Sequence, residues 1–250
     1  MKKAVIILSG GLDSSTTLYI AKDEGYELHA LTFMYGQRHH VEVNCAKKVA
    51  HLAGVKEHRF INLPTPKGSA LTDNLEVPKG RNLEELSIEI PSTYVPARNT
   101  LFIAYALQYA EEIDADAIFT GLTSTDASPY PDTRPEYVEA YQNLINKATK
   151  KTVSGKSIEL KTPLLHLYKS ETIYIGMQLK VPYKDTWSCY SPKVIEYGEL
   201  AGTPLGYKPC LECDTCKLRI KGFVEAGFRD PAVSEKRWDE ILKNWKNESK

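Results

Sequence analysis

Short apolar runs alternate with longer amphipathic ones along the first half of the chain. Ala4–Leu8 is apolar throughout and is followed by glycines, which predicts a fully buried strand. Ser14–Asp23 predicts a helix stopped by Gly25. Glu27–Phe33 predicts a second strand. Val41–Ala53 predicts a helix with Val41, Cys45, Val49 and Leu52 on one face and Gly54 as its stop. Glu57–Asn62 alternates as a third strand would. Leu63–Thr93 is polar and broken by proline and glycine, so a long surface excursion is expected over 63–95. Asn99–Ile113 is apolar on nearly every side, which predicts a buried helix, and Asp116–Gly121 predicts another strand.

Alternating strands and helices imply a parallel sheet covered by helices, and ligands of such sheets bind at the carboxyl ends of the strands. The loops Ser9–Asp13 and Thr32–His39 lie at such ends. Beyond Leu122 the rhythm breaks. A turn-rich loop leads to a helix from Pro135 through Asn146, a short strand at Ile158–Lys161 and a helix at Ser170–Leu179. A cysteine-bearing segment and a helix near Ala232–Trp245 close the chain. The expected fold is α/β, a doubly wound, mostly parallel sheet over residues 1–165, with a helical C-terminal region over 166–250.

Composition narrows the classes. The 250 residues are 42% hydrophobic and 26% charged, ordinary for a globular protein. Lys and Arg number 32, as do Asp and Glu, so nothing global favours nucleic acid or an acidic membrane. No apolar run is long enough for a membrane span, and Ala4–Leu8 is too short for a signal peptide, so a cytoplasmic location is expected.

The string Ser9-Gly10-Gly11-Leu12-Asp13-Ser14-Ser15 joins the first strand to the first helix. A glycine turn there lets backbone N–H groups converge, and the helix adds its positive end, so the pair can hold a phosphate chain. Ser9, Ser14, Ser15 and Thr16 can add hydroxyl donors. There is no Gly-Lys-Ser/Thr and no third glycine, which sets aside the two commonest phosphate motifs. Asp13 would repel phosphate unless a cation bridges them, and magnesium prefers that ligand mixture.

Four of the five cysteines, Cys189, Cys210, Cys213 and Cys216, fall close together. Four thiolates saturate tetrahedral zinc and leave no open position, which implies a structural site. Sulfur or redox chemistry at a Cys-x-x-Cys pair and an iron–sulfur cluster are the competing readings. Cys45 reads as a small core residue.

The Ser9–Ser15 string resembles the pyrophosphate loop of the PP-loop ATP pyrophosphatases. Further strings follow in order: PSTYVPARNTLF from Pro91, GLTSTDASPYPDTRPEY from Gly121, TPLLHLYKSETI from Thr162, TWSCY from Thr186 and CDTCKLRIKGFVEAGFRDP from Cys213. Together they resemble the 7-cyano-7-deazaguanine synthase (QueC) family from Lys3 to about Pro231.

The resemblance implies an adenine nucleotide alpha-hydrolase-like fold. It implies conversion of 7-carboxy-7-deazaguanine and ammonia to the nitrile with two ATP, through adenylated acid and amide. It also implies magnesium with ATP, structural zinc on the four cysteines and a homodimer, with no direct nucleic-acid or membrane partner.

Carried onto this chain, it places ATP against Leu8, Ser9, Gly10, Gly11, Leu12, Asp13, Ser14, Ser15, Thr16, Thr17, Leu18, Gln37 and Arg38. Asp13, Arg98, Lys169 and His39 are the catalytic candidates, His39 as a proton carrier for ammonia. Asp126, Tyr130, Asp132 and Arg134 are the candidates for the deazaguanine acid. A tRNA thiolase, or a ligase joining the acid to another amine, is the alternative. The family's Cys-Gly-x-Cys is here Cys210-Leu211-Glu212-Cys213, and its Ser-Gly-Tyr-Pro is Ser128-Pro129-Tyr130-Pro131.

Overall fold

The computed structural model describes residues 1–36, 41–73, 76–80, 90–125, 130–194 and 206–248. Its first half runs β1 Lys3–Ile7, α1 Leu12–Asp23, β2 Glu27–Met34, α2 Val41–Ala53, β3 Glu57–Asn62, α3 Arg98–Glu112 and β4 Ala117–Phe119. There follow α4 Pro135–Ala148, the short α5 Lys150–Val153, β5 Glu159–Lys161 and α6 Lys169–Gln178. Last come β6 Lys193–Val194, which pairs antiparallel with β7 Tyr207–Lys208, then α7 Asp214–Glu225 and α8 Glu235–Glu248.

Five strands form one parallel sheet in the order β3-β2-β1-β4-β5. β1 is the central strand, with Ala4 level with Leu28 of β2 on one side and Ala117 of β4 on the other. Helices cover both of its faces, which is why its sequence is continuously apolar rather than alternating. Ala4 and Ile6 pack towards α1, α2, α6, α7 and α8, and Val5 and Ile7 towards α3 and α4. Chain order reverses between β1 and β4, so a crevice opens at their carboxyl ends. Ile173, Tyr183, Phe223 and Trp238 from the second half share one apolar cluster with β1 and α1.

Three expectations change. Leu52 is 47% exposed, because the inward stripe of α2 runs through Val41, Cys45, Ala46, Val49, Ala50 and Ala53. α3 is not buried all round: Ile103, Ala106, Leu107 and Ala110 face the sheet, while Leu101 is 50% exposed. The stretch after β3 is more than a surface excursion. Ser69, Ala70, Leu71 and Val95 are buried, and the Ala70 N–H donates to Ser92 O at 2.8 Å. Periodicity alone does not announce α7, whose buried face carries Asp214 and Arg219 beside Ile220 and Phe223. No helix among the described residues is long and apolar enough to cross a membrane.

Candidate active site

β1 ends into Ser9-Gly10-Gly11, and α1 begins at Leu12 with Gly11 as its N-cap. Gly10 has φ +86°, and a Cβ there would overlap the Glu42 carbonyl oxygen and the Ala46 nitrogen of α2. Glycine is thus required twice over, by backbone conformation and by the close approach of α2. A Cβ on Gly121, just past β4, would lie 3.0 Å from Ser14 N, so β4 closes in on the start of α1 as well. The loop is braced from within: Gly11 N–H donates to Ser9 Oγ (3.2 Å), and Ser9 and Ser14 hydroxyls lie 3.0 Å apart. It is braced from outside by Trp187, whose N–H donates to Gly10 O at 2.9 Å.

A cavity of about 330 Å³ opens where β1, β2 and β4 end. Leu8, Ser9, Gly11, Leu12, Asp13 and Ser14 line it, as do Arg98, Tyr130 and Lys169. Thr16, Thr17 and Leu18 do not; they are fully buried beneath the loop. The Ser15 hydroxyl donates to Gly11 O at 2.7 Å and that of Thr16 to Leu12 O at 2.9 Å, so these hydroxyls bond within α1 and turn away from the cavity. Thr16 also lies 2.8 Å from Tyr183 Oη, which ties α1 to the second half of the chain. Gln37, Arg38, His39, Asp126 and Pro129 lie outside the described residues.

The cationic side of the cavity comes from two distant helix starts. Lys169, at the start of α6, donates to Asp13 Oδ1 at 2.7 Å. Arg98 opens α3, where the helix's positive end disfavours a cation. Ala97, at φ +50°, turns the chain into that position. Two features compensate. Arg98 Nη1 donates to Tyr35 Oη at 3.0 Å, with its guanidinium over the Tyr35 and Phe102 rings at 5.7 and 5.9 Å. Asp132 is buried and accepts from Asn99 N–H at 3.1 Å, so it caps α3 beside Arg98 and does not face the cavity. Arg134 is exposed at the start of α4 and does not line the cavity. Tyr130 Oη lies 2.8 Å from Thr93 Oγ1.

The cavity also has walls that sequence reasoning passed over. Phe33 stacks on Phe102 at 4.1 Å, a flat apolar wall. Tyr35 and Tyr190 are held protonated by burial. Glu42, in the first turn of α2, carries a carboxyl that burial raises to about 7, with Arg98 pulling it down. Nothing local marks it, since an amphipathic helix carries such residues routinely.

The four sulfurs of Cys189, Cys210, Cys213 and Cys216 lie within 4.8 Å of one another, all in buried residues. Cys213 is the N-cap of α7, so Cys216 sits on its first turn. The N–H groups of Glu212 and Cys213 donate to Cys210 Sγ at 3.4 and 3.3 Å, and that of Cys210 to Cys189 Sγ at 3.2 Å. Hydrogen bonding with Cys189 first, and with Cys216, lowers Cys210, and the neighbouring thiols lower Cys213 as well. The same bonds raise Cys189 and Cys216. Four buried sulfurs this close, with N–H donors aimed at them, fit a cation that holds thiolates. Leu211 has φ +64°, the left-handed conformation that suits glycine.

The cluster is wired to the glycine loop. Cys189 O accepts from Trp187 Nε1 at 2.9 Å, and Trp187 N–H in turn holds Gly10 O. Arg219 adds a second tie. It is buried, pairs with Asp230 through Nε–Oδ2 (2.6 Å) and Nη2–Oδ1 (2.9 Å), and donates to Thr186 Oγ1 at 2.9 Å.

Comparison with known proteins bears on these features together. The family profile described as "Queuosine biosynthesis protein QueC" matches residues 3–227. A relative from Syntrophus aciditrophicus named "7-cyano-7-deazaguanine synthase" is 52% identical over 237 residues, 94% of this chain and 98% of that one. One of the same name from Paramagnetospirillum magneticum is 48% identical, covering 93% of this chain and 98% of that one. Among solved structures, "Structure of NMN synthetase from Francisella tularensis" aligns over 99% of this chain and 85% of that chain. At a TM-score of 0.43 and 19% identity, that likeness is too remote to bear on the site. Glycine loop, cation pair and cysteine cluster all fall within the span that the profile matches, and the chain belongs to the QueC family.

Proposed function

We propose that this protein is a C–N ligase of the 7-cyano-7-deazaguanine synthase type. It converts 7-carboxy-7-deazaguanine and ammonia to the nitrile, consuming two ATP and releasing AMP and pyrophosphate. The observation that carries the reading is the glycine loop opening onto one cavity with Lys169–Asp13 and Arg98 around it.

Residues 1–165 bind the nucleotide, and 166–250 supply Lys169 and the cysteine cluster. The N–H groups at the start of α1 hold the pyrophosphate of ATP. Asp13 offers a carboxylate for the magnesium that accompanies ATP, which neutralises phosphate charge when bound. Lys169 positions Asp13 and adds positive charge where the α-phosphate is attacked. Arg98 holds the attacking carboxylate, and the Phe33–Phe102 stack with Tyr130 provides a wall for the flat ring. Zinc on the four cysteines would fix the Trp187–Cys189 segment that clasps Gly10. The protein acts as a cytoplasmic homodimer on small molecules.

The test is incubation of zinc-loaded protein with 7-carboxy-7-deazaguanine, ATP, magnesium and ammonia, with products weighed by mass spectrometry. AMP, pyrophosphate and the nitrile are expected. ADP with orthophosphate, or unchanged ATP, would overturn the reading.

A further inference from the structure

The reaction just proposed removes three protons from one nitrogen, since ammonia enters with three hydrogens and the nitrile carries none. The inference below rests on that reading. Each N–H bond broken needs a proton acceptor within reach of the nitrogen. Among the described residues that line the cavity there are two carboxylates, Asp13 and Glu42, and no histidine. Asp13 is engaged by Lys169 at the phosphate end. Glu42 stands on α2 with its backbone against Gly10, so its carboxyl belongs to the same chamber as the loop. It is faced by Arg98 from α3, Tyr35 from the end of β2, Tyr190 beside the cysteine cluster and Cys45 from its own helix. Burial holds Tyr35 and the Cys45 thiol in their protonated forms. Among the described residues of the cavity, Glu42 is the group placed to take a proton near neutral pH and return it to water.

We propose that Glu42 is the proton acceptor for the nitrogen that ammonia supplies. The ammonia lone pair adds to the carbonyl carbon of the acyl-adenylate, giving an oxyanion and a cationic nitrogen. Glu42 carboxylate takes one N–H proton. The oxyanion re-forms C=O, the C–O bond to AMP breaks, and AMP leaves with that electron pair. Glu42 then gives its proton to solvent. In the second round the amide oxygen displaces pyrophosphate from ATP, leaving two protons on nitrogen. Glu42 takes the first and gives it to solvent, the nitrogen lone pair closes towards carbon as the C–O bond to AMP breaks and AMP leaves with that electron pair, and Glu42 takes the second proton, which leaves the triple bond. No oxidant or reductant is involved.

The experiment compares the zinc-loaded wild type with Glu42→Gln and Glu42→Asp. Without ammonia, ATP–pyrophosphate exchange dependent on the deazaguanine acid reports adenylation alone. It is expected to stay within about 3-fold of wild type in Glu42→Gln. With ammonia, single-turnover amide and nitrile formation should fall by roughly 100-fold or more, the usual scale for losing a general base. At a constant concentration of unprotonated ammonia, the wild-type rate should rise with pH through a value near 7, Glu42→Asp should keep such a rise, and Glu42→Gln should lose it. Loss of exchange and nitrile formation together in Glu42→Gln would make Glu42 a substrate-holding residue and overturn the proposal. Undiminished nitrile formation would overturn it too. Absence of exchange in the wild type itself would instead overturn the proposed function, and this inference with it.

Discussion

The burial that suits Glu42 to accept a proton must also be visible in folding stability, whatever the substrate. Its carboxyl is raised from 4.5 to about 7 by desolvation against the partial relief from Arg98. In the unfolded chain the group ionises near its ordinary value, so between these two limits the folded protein binds more protons. The sign follows. The cost of ionising Glu42 in the cavity wall is absent below the unfolded value, grows as pH rises, and is fully present above about 7. Glutamine is never ionised, so Glu42→Gln removes that cost. By linkage the full difference is about 3 kcal/mol, an upper bound because water enters the cavity. Near neutrality and above, the variant should therefore be the more stable protein, by about 6–12 °C in Tm for a chain of this size. Near about pH 5 the gain should shrink to about 1 kcal/mol. Urea unfolding of both proteins at about pH 5 and about pH 8.5 measures it, and the cysteine cluster, common to both, cancels in the comparison. Identical pH dependence in the two proteins would refute the desolvated carboxyl and with it the physical basis for a proton acceptor there. A stabilised but slow enzyme is the trade-off expected where a strained site serves chemistry.

Two other perturbations probe the loop and its brace. Gly10→Ala forces a side chain at φ +86° into the α2 backbone, so stability should fall by more than about 2 kcal/mol and KM for ATP should rise. Denaturant midpoints together with ATP titration check this, and a neutral variant would contradict the close approach of α2. Cys213→Ser removes one of four clustered thiols, so bound zinc should drop from about one per chain towards none and stability by about 4 kcal/mol or more. Elemental analysis and thermal unfolding report both, and unchanged metal content would reject a four-thiolate site.

How much of this was legible depended on whether a residue's meaning is local. β1, the glycine pair and the start of α1 could be read directly, because a doubly covered strand is continuously apolar and a left-handed turn selects glycine. The cysteines could be read because thiols at that spacing have few other uses, although the helical placement of Cys216 could not. The same logic fails at Leu211. Its backbone takes the left-handed conformation that suits glycine, at about 1 kcal/mol, while its side chain packs against the apolar cluster beneath α7. Glu42 shows the limit from the other side. In sequence it is one acid among many on an amphipathic helix. It becomes singular because Gly10 lets α2 approach the loop, because Arg98 starts a helix across the cavity, and because Tyr35 and Tyr190 stand beside it in the cavity wall. Each of those facts belongs to a different segment, from the first loop to the cysteine region. A cavity wall assembled in this way leaves no periodic trace in any one of them. The residues that reasoning from pattern misses here are therefore those whose chemistry is made by neighbours distant in sequence, and Glu42, Asp230 and Arg219 share that property.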